Sequence, residues 1–271
     1  MSKHASNDSA RGSVDLCGQV GVVTGGSRGV GRGIVEQLLA SGMEVVTCGR
    51  TDPEDRVAGV GPDGVERVAS FVVADVRDSD SVDALFAQVA DRFGRLDLLV
   101  NNAGGSPETE AATVSPRFIT SVIALNLLAP FFCAQAANRI MATQSFGGQV
   151  INIGSVSGLR PSPGTAAYGA AKAGLINLTE TLAVEWAPRV RVNCISAGLL
   201  DSGGDPSHYG GPEGVDRVAE TIPLGRLGTP ADVAGLVLAM AGPFAPYLSG
   251  ANITLHGGGE WPSFLRAAAG S

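Results

Sequence analysis

Short runs of β-branched residues alternate with longer helical stretches along almost the whole chain, and this alternation limits the fold more than any other feature. Gln19–Thr24 reads as a first strand, followed by glycines and a helix to about Ser41. Glu44–Cys48, Ser70–Ala74, Leu96–Val100, Gln149–Ile153, Val190–Ile195 and Asn252–Leu255 read as six more strands. Helical periodicity fills 79–93, about 114–142, 166–187 and 230–241, with Ser79 or Asp80 expected to cap the 79–93 helix. Thr51–Arg67, rich in Pro, Gly and Asp, reads as a loop with a weak helix. Apolar strands separated by helices form a parallel sheet covered on both faces.

The expected fold class is therefore α/β, a Rossmann-type doubly wound, seven-stranded parallel sheet with helices on both faces. No linker or internal repeat divides the 271 residues, so one domain is expected over 15–262. Polar tails flank it at 1–14 and 263–271. The longest irregular insert, 199–228, is long enough to be a functional lid. Hydrophobic residues make up 44% and charged residues 17%, which excludes a disordered chain. A net charge of −7 without any run of lysine or arginine argues against nucleic acid and against an anionic membrane surface. Cys17, Cys48, Cys133 and Cys194 are too scattered for a zinc or disulfide framework, and His4, His208 and His256 for a metal cluster, so no metal is expected. Free thiols and an N-terminus without an apolar run suggest the cytoplasm. Residues 118–138 carry no charge, but Asn126, Pro130 and Gln135 make the stretch read as too polar to span a membrane.

Directly after the first strand comes Thr24-Gly25-Gly26-Ser27-Arg28-Gly29-Val30-Gly31. Glycines there permit a tight turn and a close approach of backbone to phosphate, and the helix that follows aims its N–H groups at a pyrophosphate. The bland alternative is a structural strand-to-helix turn. An NAD site usually ends its second strand on an acid that holds the ribose 2′-hydroxyl. Here that strand runs into Gly49-Arg50-Thr51, with no acid before Asp52. Arg28 and Arg50 suit a 2′-phosphate, so NADP(H) is favoured over NAD(H). The alternative makes both arginines solvated surface groups and turns Asp52 toward NAD.

Tyr168 and Lys172 stand four apart in a helical stretch, which places both on one face. A nearby ammonium is expected to lower the phenol's pKa from its usual value near 10. Ser155 follows the fifth of the seven strands, at the carboxyl edge where ligands bind in such sheets. A partly buried tyrosine beside a snorkelling lysine is the bland reading of an isolated pair.

Taken together, these motifs resemble the short-chain dehydrogenase/reductase family, in its compact single-domain branch, over about 16–259. Residues 24–31 resemble the family's T-G-x-x-x-G-x-G cofactor loop, implying contacts from Gly25, Ser27, Arg28, Gly29, Val30 and Gly31. Asp75 and Val76 resemble the pair beside the adenine, and Asn101-Asn102-Ala103-Gly104 the N-N-A-G element lining the cofactor. Asn126, Ser155, Tyr168 and Lys172 match the family's catalytic tetrad in order, with Ser155 and Tyr168 separated by the family's 13 positions. The resemblance implies an oxidoreductase acting on CH–OH or C=O groups. Tyr168 would be its general acid/base and Lys172 would lower the Tyr168 pKa and bond the nicotinamide ribose. Ser155 would polarise the carbonyl, and Asn126 would hold a water that relays protons. Arg50, Thr51, Gly198, Leu200 and Ser202 complete the expected cofactor contacts.

Two positions depart from the family pattern. Ala197 stands where a proline is usual, which puts the rigidity of the following loop in doubt, and His256 stands where an acid is common. His256 reads as structural. The uncharged helix at 118–138 and the charge-poor start of the 166–187 helix imply burial against another subunit. The resemblance to a family that usually forms tetramers through these two helices implies a homotetramer or homodimer. Leu199, Leu200, His208, Tyr209 and Ile222 of the lid are candidate substrate contacts. They suggest a small-molecule ketone or secondary alcohol. A 3-oxoacyl thioester is the alternative substrate class, although no basic patch offers docking to an acidic carrier protein. An NADP(H)-binding regulator or scaffold with little turnover is the alternative of a different kind. The C-terminal region is too short for the substrate domain of a sugar-nucleotide epimerase.

Overall fold

The computed structural model describes residues 14–203 and 209–269. It contains β1 (Val20–Thr24), α1 (Gly29–Ala40), β2 (Glu44–Gly49), β3 (Ala58–Val60), β4 (Glu66–Val68), β5 (Ser70–Val73), α2 (Ser79–Phe93) and β6 (Leu98–Asn101). Then come α3 (Pro116–Ile123), a π-helical turn (Ala124–Leu128), α4 (Ala129–Met141), β7 (Gly148–Ser155) and α5 (Ala166–Glu185). The chain continues through β8 (Val190–Ala197), α6 (Pro212–Ala219), α7 (Pro230–Ala241), β9 (Asn252–Leu255) and α8 (Ser263–Ala269).

Seven strands form one sheet in the order β5-β2-β1-β6-β7-β8-β9. All pairs are parallel. The order reverses between β1 and β6, so their carboxyl ends open the crevice where such sheets bind ligands. Alternation along the central strands feeds two cores. Val22, Leu99 and Val150 face Leu85 and Val89 of α2 and Ala134 and Met141 of α4. Val23, Val100 and Ile151, one position on, face Ile34 and Leu38 of α1 and Val233 and Val237 of α7. This is why the strands read as continuously apolar, and it confirms the expected doubly wound class.

The structure corrects several local expectations. Asp78 caps α2, its carboxylate accepting from the Asp80 N–H, instead of Ser79 or Asp80. Thr51–Arg67 contains an antiparallel hairpin, β3 with β4, and no helix. Its turn holds Gly64 at φ +76° and is tied by two Arg67 bonds to the Asp63 carboxylate, 2.9 and 2.7 Å. The lid contains α6, and residues 263–269 of the expected tail form α8. The expected N-terminal tail lies almost wholly outside the described residues. By length and composition, Pro116–Met141 could cross a membrane, contrary to the sequence reading of its uncharged stretch. It is instead built into the fold: Ala129, Cys133, Ala134, Ala137 and Met141 are buried in the core beside α2 and the sheet.

Candidate active site

The glycine loop is shaped by contacts that exclude side chains. A Cβ on Gly31 would stand 2.3 Å from the Gly25 carbonyl oxygen and 2.4 Å from the Asn102 amide nitrogen. On Gly26 it would strike Thr47 Oγ1 at 2.3 Å. Gly25 and Gly29 hold φ of +65° and +53°, in the left-handed region. Arg28, the N-cap of α1, is extended and makes no side-chain cap, and the first turn holds no acid. The first N–H groups of α1 are therefore free to bind an anion. Val30 is partly buried against the core, while Ser27 is half-buried in the loop.

The end of β6 braces this cradle. The Asn102 and Ala103 N–H groups both donate to Thr24 Oγ1 at 3.0 Å. The Asn102 side chain donates to the carbonyls of Thr24 and Gly25 at 2.9 and 3.2 Å. Below it, Asn101 donates to Asn152 on β7, and Asn152 to Thr179 on α5, each at 2.9 Å. One buried polar chain thus fixes the helix carrying Tyr168 and Lys172 relative to the cradle.

Ser155 ends β7, where its hydroxyl accepts from the Ser157 N–H at 3.1 Å. It also lies close enough to the Tyr168 phenol to exert a small lowering pull on its pKa. Lys172 is buried, donates to the Ile153 carbonyl at 2.7 Å, and lies 5.5 Å from the centre of the Tyr168 ring. Burial lowers the Lys172 pKa to about 8. Burial also raises the Tyr168 pKa, against a smaller lowering by Ser155. This corrects the expected depression of the phenol by its cation: desolvation is the larger effect, and Tyr168 holds its proton at neutral pH.

Asn126 sits in the π-helical turn and is completely buried. Its side chain accepts from the Gly105 N–H at 2.9 Å and donates to the carbonyls of Gly105 and Val122 at 3.0 and 2.9 Å. A Cβ on Gly104 would stand 2.8 Å from Asn126 Oδ1 and 3.4 Å from Lys172 Nζ. Asn126 thus anchors the loop that runs past Lys172.

At the other end of the cradle, Arg77 grips the Asp75 carboxylate with bonds of 2.9 and 2.5 Å. Its guanidinium, together with the more distant charge of Arg50, holds Asp75 below the usual carboxylate range. Val76 is buried. Arg28, Arg50 and Thr51 are exposed, and Asp52 is paired with Arg56 at 2.7 Å. Ser202 faces the glycine loop, its Cβ 3.6 Å from where a Gly29 Cβ would stand.

The loop after β8 is held despite Ala197. Gly228 donates to the Leu199 carbonyl at 3.0 Å, and Asp201 to the Gly228 carbonyl at 2.8 Å. Leu199 and Ile222 line a cavity of about 310 Å³. Leu200 instead packs on the core, and its carbonyl accepts from the Tyr209 hydroxyl at 3.2 Å. His208 lies outside the described residues. His256, read as structural, lines the cavity, and its backbone passes so close that a Gly198 Cβ would stand 2.8 Å from its Cα. Arg160 and Glu260, which the sequence did not single out, line it too. They are 100 positions apart, and no local pattern links them. Among the described residues no cluster of His, Cys, Asp or Glu could hold a metal.

An open parallel sheet with a glycine cradle at its switch point, beside Ser155 and a Tyr168 ring over a buried lysine, defines a class of dinucleotide-binding α/β protein. A family model described as enoyl-(acyl carrier protein) reductase matches residues 25–260. A 3-oxoacyl-(acyl-carrier-protein) reductase of Synechocystis is 38% identical over 248 residues, covering 90% of this chain and 97% of that protein. One of Staphylococcus aureus is 37% identical over 239 residues, covering 88% and 96%. A mutant short-chain dehydrogenase/reductase of Serratia marcescens superposes with a TM-score of 0.80 at 30% identity, covering 90% and 98%. The chain belongs to the short-chain dehydrogenase/reductase family and is an oxidoreductase acting on CH–OH and C=O groups.

Proposed function

We propose that this chain is an NADPH-dependent reductase of ketones, and among them of the 3-oxo group of an acyl thioester. The arrangement of Ser155, Tyr168 and Lys172 at the carboxyl end of β7 carries the reading. The similarity to 3-oxoacyl-(acyl-carrier-protein) reductases supports the thioester. The stretch 141–149 carries no charge and 179–186 is acidic, so neither offers an acidic carrier protein a basic docking surface, which favours recognition through the acyl group.

The glycine loop, with Gly25 and Gly29 at positive φ, and the α1 N-terminus, with no side-chain cap and no acid in its first turn, fit the phosphates of a dinucleotide, and the Asn102–Ala103 segment braces that loop. When bound, the nicotinamide supplies the hydride. Ser155 and Tyr168 hold the substrate oxygen with two donors, which stabilise the negative charge as it forms. Tyr168 donates its proton, and a phenol with a raised pKa keeps that proton until the alkoxide demands it. Lys172 supplies positive charge beneath the ring. Asn126 holds the Gly104–Gly105 loop in position, and Ser202, which faces the glycine loop, would donate its hydroxyl to a nicotinamide carboxamide.

Asp52 is occupied by Arg56, so the acid nearest the end of β2 is not free to hold a 2′-hydroxyl, whereas Arg28 and Arg50 carry no ion pair among the described residues. Replacing Arg50 with alanine is expected to lower the NADPH-to-NADH ratio of kcat/KM by about 10–100-fold, the worth of one charge-assisted bond. An unchanged ratio would remove Arg50 from the site.

Screening NADPH oxidation against 3-oxoacyl thioesters, simple ketones and enoyl thioesters, with identification of the product, tests the function. A hydroxy product supports it. A saturated product from an enoyl thioester would favour the second reading, which rests on the description of the family model. NADPH binding without turnover would favour the regulator.

The 116–141 helical segment is only 33% buried in its most apolar window, and Leu128 on it and Val184 on α5 are exposed. These surfaces support a homotetramer or homodimer. Light scattering at micromolar concentration should return two or four chain masses, and a single mass would refute it. Cys48, Cys133 and Cys194 are free and buried, which supports a cytoplasmic location.

A further inference from the structure

We propose that the Arg160–Glu260 ion pair caps the substrate cavity and limits the length of the chain attached to the carbonyl, a step that rests on the reductase reading. The cavity adjoins the catalytic edge of the sheet through two of its lining residues. Val156 and Gly198, which line it, directly follow Ser155 and Ala197, a register pair at the ends of β7 and β8. Leu159, Leu199 and Ile222 make its walls apolar. Arg160 and Glu260 close it with charge, joining the turn after β7 to the segment after β9.

Both anchors are stiff. The Arg160 N–H bonds the Val156 carbonyl at 3.1 Å, and its side chain also donates to the Pro161 carbonyl at 3.1 Å. Glu260 follows Gly257, Gly258 and Gly259, all at positive φ. A Cβ on Gly257 would strike Ile222 at 2.8 Å, and one on Gly258 would strike Pro223 at 2.9 Å, so this segment is packed against the lid. The pair therefore spans the cavity's edge between fixed points. Its members are 38% and 37% exposed, which places them at the mouth.

The cavity, of about 310 Å³, is open on one side rather than sealed. A short acyl group fits inside it. A longer one must part the ions, and its apolar end then meets two charges deprived of each other. Because Glu260 neutralises Arg160, the cavity offers no unpaired cation here for a substrate carboxylate.

The test uses the full-length protein with NADPH and two homologous series, 3-oxoacyl-CoA thioesters from acetoacetyl to 3-oxododecanoyl and methyl ketones of matching lengths. The readout is the long-to-short ratio of kcat/KM. The wild type should favour short substrates. Arg160→Gln and Glu260→Gln should each raise the ratio about 10-fold or more, the scale of discrimination by methylene groups in a pocket. The charge-swapped double variant, Arg160→Glu with Glu260→Arg, should return it toward the wild type. An unchanged ratio, or parallel losses at every length, would overturn the cap while leaving the reductase standing. A wild type that turns over neither series would overturn the reductase reading itself.

Discussion

Tyr168→Phe is expected to lower kcat/KM for NADPH-dependent ketone reduction by about 10²–10⁴-fold, the usual worth of a positioned proton donor. The ring stays, so its packing over Lys172 is kept and only the hydroxyl is lost. NADPH binding should change far less than turnover, which separates loss of the acid from loss of the cradle. Because burial raises the Tyr168 pKa, the wild-type phenol should remain protonated and reduction should not fall through the neutral range. Above about pH 8 Lys172 loses its charge, and the rate of reduction should decline there. Kinetics with Tyr168→Phe across the same pH range checks both statements. A variant that retains wild-type turnover would end the assignment of Tyr168 as the acid.

How much of this was legible beforehand depended on the range of the physics. The glycine cradle was readable because a forbidden Cβ is nearly a local fact: Gly31 meets Gly25 only six positions away. Tyr168 and Lys172 were readable because helical spacing alone puts them on one face. The β3–β4 hairpin was missed because its strands have three residues each, too few to show alternation, in a stretch dense with Pro, Gly and Asp. The sign of the Tyr168 shift was missed because a neighbouring cation is visible in sequence and burial is not. The Arg160–Glu260 pair had no sequence signal, since only the meeting of two loops beyond β7 and β9 creates it.

Lys172→Met is expected to abolish most activity and yet make the protein more stable at pH 7. Lys172 is one of two lysines in a chain with 17 arginines. Surface charge is thus left to arginine, while the position under Tyr168 holds the side chain whose pKa shifts readily on burial. It has been lowered from 10.5 to about 8, chiefly by desolvation, with no carboxylate among the causes. A shift of that size corresponds to about 3 kcal/mol of unfavourable burial of charge. Methionine removes that cost, at the loss of the bond to the Ile153 carbonyl, itself worth about 1–3 kcal/mol when a buried partner is stranded. The net gain should be about 0–2 kcal/mol, or up to a few degrees in Tm. The pH dependence has a definite sign. Below about pH 8 both the folded and unfolded states of the wild type carry the charge, so the full cost is present. Between about 8 and 10.5 the folded state has released a proton that the unfolded state still binds, so wild-type stability gains from this group as pH rises. The advantage of Lys172→Met should therefore be largest at neutral pH and shrink toward pH 10. Thermal melts of both proteins without dinucleotide would measure it. A variant less stable than wild type throughout would show that the ammonium is held by attraction strong enough to outweigh its burial, and that the lysine serves the fold as well as the chemistry.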